Sequence, residues 1–353
     1  MFTAPQTSLS TTVNASALAP IIQAQAALAR GARMFCPSLS LLGHRYLGRV
    51  LTLCVDARQA TPDALQQLAN HLRNSSRVPY VRVLPRGDGA VLFEMPVGQP
   101  RDILLDHHQP DHRGKPLTLG PLIHGMGNAI WHMDDIGKRH ALIVAEGNER
   151  LMLLRMLICQ IARRESPSEC RIAIIDPISL LPNSLTTLAH AVCEPVGDDL
   201  FDQQTLLNWA IRESLSKKMT NRKYARLTVV ITEGSYWLQQ PTGILDLMRL
   251  GVVKNINLII ATDQISSGVL DTTTAQQFGS RFVGQMPSDE ASVWATGVRG
   301  ADCHWQRGHG DTLFTPANQR FQCPTVSEDL VDSLPHAQSL LNIKELALMR
   351  GVA

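Results

Sequence analysis

From about residue 117 onward, short apolar runs recur at regular intervals and are separated by stretches with helical spacing. The runs at 141–145, 171–175, 228–231, 258–262 and 282–285 predict five core strands. Helices are expected over 149–164, 202–218 and 243–252, with a short terminal helix at 342–349. Strands that are apolar throughout and alternate with helices belong to a parallel sheet covered on both faces. No internal repeat interrupts this pattern.

A smaller α/β module precedes it. Residues 50–55 read as a strand. Thr61-Pro62-Asp63 starts a helix that runs through Leu72, with Thr at the N-cap and Pro at the first helical position. Runs at 81–84 and 91–95 form two more strands around the turn Pro85-Arg86-Gly87-Asp88-Gly89. The expected division is a flexible tail over 1–35, a small α/β domain with its polar linker over 36–115, a larger domain over 116–325, and a C-terminal tail with a short helix over 326–353.

Composition narrows the class. The chain has 353 residues, 44% hydrophobic and 18% charged, with a net charge of +2, as an ordinary globular protein would have. Nucleic acid would therefore have to be held by a local basic track or by several subunits together. No apolar run reaches the ~18 residues of a membrane span. The first 55 residues contain no Asp or Glu, a composition shared with transit peptides, but a leader followed by a short amphipathic helix accounts for it. Seven widely spaced cysteines without a C-x-x-C pair favour reduced thiols in the cytoplasm.

The turn between the 141–145 strand and the next helix is where a nucleotide-binding sheet carries its phosphate loop. A working loop needs G-x-x-x-x-G-K-[ST]: backbone amides to wrap phosphates, a Lys for their charge and a hydroxyl for Mg²⁺. This chain has only Glu146-Gly147-Asn148-Glu149-Arg150, with one glycine, no Lys, no hydroxyl and two carboxylates.

An ordered series of short matches nevertheless resembles the motor region of the FtsK/SpoIIIE family of double-stranded DNA translocases. Val81-Arg82-Val83-Leu84-Pro85-Arg86-Gly87 with Phe93-Glu94-Met95-Pro96 is similar to the strand–turn–strand that closes the family's small domain. The segments beginning at Pro116 and at Lys138 follow in family order. Arg171-Ile172-Ala173-Ile174-Ile175-Asp176-Pro177 resembles h-h-h-I-D-P-K. Leu258-Ile259-Ile260-Ala261-Thr262 stands where the family has L-h-h-A-T-Q-R-P. Ser280-Arg281-Phe282-Val283-Gly284-Gln285 and the segment 308–314 complete the series, which spans roughly residues 45–315.

The resemblance implies a RecA-like, P-loop NTPase-like parallel sheet, preceded by a small α/β domain. It also implies the positions where nucleotide contacts are expected, and these depart from the family. Remnants of the nucleotide site are Gly147, Asn148, Arg150 and Asp263, the last replacing a sensor Gln. The Walker B pair Asp-Glu is Thr232-Glu233 here, so Glu233 is the sole catalytic remnant. Arg150 is expected to pair with Glu146 and Glu149 beside it. Arg281 matches a basic position that could act in trans on a neighbour, although a structural role is favoured. Lys217, Lys218, Arg222 and Lys223, with Arg226, are the densest basic stretch and the candidate DNA contact. His107, His108 and His112 read as a solvated linker, and Cys303 with His304 and His309 as a chance grouping; no metal site is expected.

The main expectation is a translocase homologue that has lost its nucleotide site. It would be a non-hydrolysing structural or regulatory subunit of a DNA-handling or secretion assembly, with no cofactor. Its partners would be like or unlike subunits, possibly in a ring with active ATPases, and duplex DNA. The alternatives are a divergent motor that uses ATP and Mg²⁺ through Arg150 and Glu233, and a protein-interaction scaffold.

Overall fold

The computed structural model describes residues 15–47, 50–78, 81–86, 88–96, 103–105, 116–123, 127–216, 225–263, 270, 272–284, 286, 288–296, 311–315 and 319–349. The chain divides into two compact units, one of residues 1–101 with 122–127 and one of 102–121 with 128–353.

The first unit contains α1 (Ala15–Phe35), β1 (Ser40–Leu47), β2 (Val50–Asp56), α2 (Pro62–Ser76), β3 (Arg82–Pro85) and β4 (Ala90–Pro96). Its antiparallel sheet has the order β1-β2-β4-β3. The Thr61 hydroxyl accepts from the Ala64 amide at 3.2 Å, and Pro62 fills the first helical position of α2, as its sequence signature requires. Leu51, Leu53 and Val55 of β2 pack with Phe93 and Met95 of β4 against Leu65, Leu68 and Leu72 of α2.

The segment expected as a tail over 1–35 carries a helix over residues 15–35, in keeping with the amphipathic helix expected after the leader. Ile21, Ala24, Ala27 and Leu28 recur at helical spacing and are buried in the same core. Burial of that stripe, worth roughly 2 kcal/mol for each large side chain, outweighs the polar residues between them. The strand β1 precedes β2 and forms the edge of the sheet beside it. Its pairing with β2 includes a bulge between Leu41 and Gly43.

The second unit contains β5 (Leu117–Pro121), β6 (Asn128–Trp131), β7 (Ala141–Val144), α3 (Gly147–Arg164), β8 (Cys170–Ile175), α4 (Asn183–Thr186), α5 (Leu200–Ser216), β9 (Arg226–Ile231) and α6 (Ser235–Gln239). It continues with α7 (Thr242–Lys254), β10 (Ile256–Thr262), α8 (Thr272–Gln277), β11 (Ser280–Val283), α9 (Asp289–Thr296), β12 (Asp311–Thr315), β13 (Gln319–Gln322), α10 (Glu328–Asp332) and α11 (Ile343–Met349). Its main sheet has the order β13-β12-β11-β7-β10-β9-β8. The five strands expected from apolar runs pair in parallel, and β12 and β13 extend the sheet antiparallel. Every residue of β7, β9 and β10 is buried, the state that unbroken apolar strands require.

The segment after residue 326 is not a tail. Leu330 and Val331 of α10 are buried, and Ile343 and Leu346 of α11 join the core cluster of the sheet. Its short helices are stabilised by that packing rather than by length.

Charged side chains collect at the start of β9. Arg226 pairs with Asp134 and, at 2.9 Å, with Glu165; Arg164 pairs with the same two carboxylates. The Arg164 and Glu165 side chains are fully buried. Burial pulls the Asp134 carboxyl up, but Arg226 and Arg164 outweigh it and hold it below the usual carboxylate range. Glu165→Ala would leave two buried guanidinium groups sharing one half-exposed carboxylate. Loss on the order of 3 kcal/mol is expected in urea unfolding, against about 0.5 kcal/mol for an exposed charge such as Arg249→Ala.

His140 lies just before β7, packed against Gly251 of α7, with its Nε2–H donating to the Met248 carbonyl at 3.1 Å. Burial, with Arg139 alongside, pushes its pKa from 6.5 down to about 4. The unfolded chain therefore takes up the proton first as pH falls. The stabilisation is complete above about pH 6.5 and is lost progressively down to about pH 4, a change of about 3 kcal/mol. Thermal melts across that window should show the decline in the native chain and a flatter profile in His140→Gln.

Candidate functional site: the β7–α3 turn and the end of β9

The parallel strands β7, β9 and β10 place their C-terminal ends side by side, the edge at which open α/β sheets bind ligands. Between the last residue of β7, Val144, and the first of α3, Gly147, only Ala145 and Glu146 intervene. The Ala145 amide donates to the Thr262 carbonyl and the Glu149 amide to the Glu146 carbonyl, at 3.1 Å each. Gly147 turns the chain with φ +48°, a conformation that strains other residues. Glu146, Gly147 and Asn148 are exposed, whereas Glu149 and Arg150 are buried. The Glu149 carboxylate lies over Gly284, where an added Cβ would come within 2.6 Å of it. A side chain at 284 would have to displace that carboxylate.

Arg150 points away from the exposed turn and forms an ion pair with Glu233, two residues past the end of β9. Its partner is thus not Glu146 or Glu149, as local spacing had suggested, but a residue 83 positions away. The other Glu233 oxygen accepts from the Ser235 amide at 3.1 Å and the Ser235 hydroxyl at 2.6 Å. Ser235 in turn lies 2.9 Å from the Thr262 hydroxyl. The carboxylate is held by a guanidinium, an amide and a hydroxyl together, which fixes its rotamer.

Thr232, the residue after β9, is fully buried and donates to Asp176 at 2.5 Å. Asp176 also accepts from the Leu180 and Leu181 amides at 2.9 Å each and so caps the turn after β8. Ser235, Thr262, Thr232 and Asp176 were not singled out as site residues. The sequence signal was present, since Asp176 and Thr262 end two of the strands that carry the family resemblance.

The remaining candidates lie elsewhere. Asp263 is exposed immediately after β10. Arg281 donates to the Ala275 carbonyl at 2.7 Å and the Ala295 carbonyl at 3.2 Å, tying the ends of α8 and α9 to β11; burial lowers its pKa. Arg226 is withdrawn from the basic stretch by its buried ion pairs. Lys217, Lys218, Arg222 and Lys223 lie outside the described residues, as do the histidines of the linker and Cys303, His304 and His309. Among the described residues, no group of three metal-ligating side chains occurs and no helix is long and apolar enough to cross a membrane. The six described cysteines are buried and unpaired; burial pushes Cys159, Cys170 and Cys193 up to about 12, away from nucleophilic chemistry.

Glu233→Gln leaves the Arg150 charge buried without a counter-charge and should cost more stability than Arg150→Met, on the order of 2 kcal/mol. A double-mutant cycle on denaturant midpoints is expected to give a coupling of at least about 1 kcal/mol; additivity would deny the ion pair.

No family model matches the chain. Among curated proteins, the DNA translocase FtsK of Caldanaerobacter subterraneus subsp. tengcongensis is 23% identical over 236 residues. The match takes in 59% of this chain and 33% of that relative, so the chain spans only about a third of its length. Among solved structures, the pCW3 conjugation coupling protein TcpA, in its monomer form with ATPγS, superposes with a TM-score of 0.57 at 15% identity. The alignment covers 94% of this chain and 99% of that one. ATPases 2 and 3 of EssC from Geobacillus thermodenitrificans superpose with a TM-score of 0.54 at 12% identity, over 73% of this chain and 51% of that one. The order of matched segments and the seven-stranded, mostly parallel sheet agree: part of the chain is similar to FtsK, and its α/β fold is similar to that of TcpA and of ATPases 2 and 3 of EssC.

Proposed function

We propose that this chain is a translocase homologue without a working nucleotide site, acting as a non-hydrolysing structural or regulatory subunit of a DNA-handling or secretion assembly. The observation that carries this reading is the Arg150–Glu233 ion pair. The cation at the start of α3 is already neutralised, and by the carboxylate that in a motor would orient an attacking water.

Three further features support it. The β7–α3 turn is too short to wrap phosphates with amides. Thr232 cannot ligate Mg²⁺ as an aspartate would, and its hydroxyl is spent on Asp176. Glu146 and Asp263 add exposed negative charge where a triphosphate would lie. Preorganised positive charge is the main catalytic term in phosphoryl transfer, and it is absent from these described residues. In this reading Gly147 and Asn148 serve the turn, Arg281 is structural, and any active site belongs to neighbouring subunits of a homo- or hetero-oligomer. Duplex contact falls to Lys217, Lys218, Arg222 and Lys223. Their replacement by alanine should flatten the salt dependence of duplex binding.

A second reading, a divergent ATP-driven translocase, is favoured by the placement of Arg150 at the start of α3 within reach of Glu233. Nucleotide would then displace Glu233 from Arg150. Titration with a fluorescent ATP analogue and Mg²⁺ separates the two. Absence of saturable binding up to millimolar concentration is expected. Saturable binding that Arg150→Ala removes, together with DNA-stimulated hydrolysis abolished by Glu233→Gln, would establish the motor instead.

A further inference from the structure

The first unit carries an apolar groove of about 270 Å³ beside α1. Leu28, Ala29 and Ala32 of α1 form one wall, and Pro37, Leu39 and Leu41 the other. Gln25 spans the two sides through its 3.1 Å contact with His44 of β1. Among the described residues, the exposed large hydrophobics of this unit, Ile22, Met34, Leu41 and Leu42, belong to α1 or β1.

The charge around the groove is of one sign. Residues 1–101 hold ten arginines, no lysine and four carboxylates, whereas the rest of the chain holds 23 basic and 27 acidic residues. Three of the four carboxylates are already paired: Asp56 with Arg58, Asp88 with Arg86 and Glu94 with Arg82. Arg33 lines the groove, and Arg30 and Arg45 are exposed on the same two elements. Among the described residues none of these three forms an ion pair. The cationic charge beside the groove is therefore open to a partner.

We infer that this groove docks an acidic amphipathic helical segment of a partner protein. Apolar side chains at i, i+3 and i+4 would enter between α1 and β1, with carboxylates along the rim meeting Arg30, Arg33 and Arg45. Each alternative occupant lacks one of these features. A lipid surface is approached by a protruding apolar edge, not by a concave groove. A nucleic-acid backbone offers charge but no apolar surface against which Ala29, Leu39 and Leu41 could be buried. The chain's own residues 1–14 contain no carboxylate.

The test uses the full chain and a fluorescein-labelled peptide of leucine and glutamate at helical spacing, read by fluorescence anisotropy. Saturable binding that weakens with salt and falls about tenfold in Arg33→Glu is expected. Leu41→Asp should reduce it as well. If Leu41→Asp fails to fold, Arg33→Glu still decides, since Arg33 is exposed and its melting temperature reports an intact unit. The inference is overturned if the peptide does not bind, if a leucine–lysine peptide binds equally, or if Arg33→Glu changes nothing. It also fails if phosphatidylserine vesicles or duplex DNA compete more tightly than the peptide. Self-association in sedimentation velocity that Arg33→Glu abolishes would assign the groove to a second copy of the chain instead.

Discussion

Strand β9 is buried along its whole length, and this constraint organises the larger unit. A strand covered on both faces can carry charge only where it enters and leaves the sheet, and there the charge must be paired. Each end of β9 meets that demand with a different cluster. At its start, Arg226 joins Arg164, Glu165 and Asp134, drawing together the end of α3 and the loop after β6. Beyond its other end, Glu233 takes Arg150 from the start of α3. The helix and the strand are thus fastened to each other at both ends.

The second fastening has a functional consequence. In a motor of this fold the start of α3 must stay open for phosphate, and the carboxylate after β9 must face water. Here the two groups satisfy each other, and Ser235 and Thr262 hold the carboxylate in place.

The two units also differ in how their surfaces are charged. The larger one buries Arg150, Arg164 and Arg226 in ion pairs and places the carboxylates Glu146 and Asp263 on the exposed edge of the sheet. The smaller one leaves arginines of α1 and β1 exposed beside apolar residues.

The sequence by itself determined the five parallel strands, the helices between them, and the Thr61–Pro62 start of α2. These depend on local periodicity and capping, which a single chain displays directly. It also showed that residues 146–150 hold one glycine, no lysine and no hydroxyl, because a residue type is either present or not. Only the tertiary structure decided the partner of Arg150. Glu146 and Glu149 are near in sequence, but the guanidinium pairs instead with Glu233, two residues past the end of β9. The burial of α1 and α11 was likewise set by the faces they meet, since short or Ala-rich segments are stabilised by packing and not by their own propensity. Pairing between distant residues depends on which strand ends the fold brings together, and no local pattern encodes that.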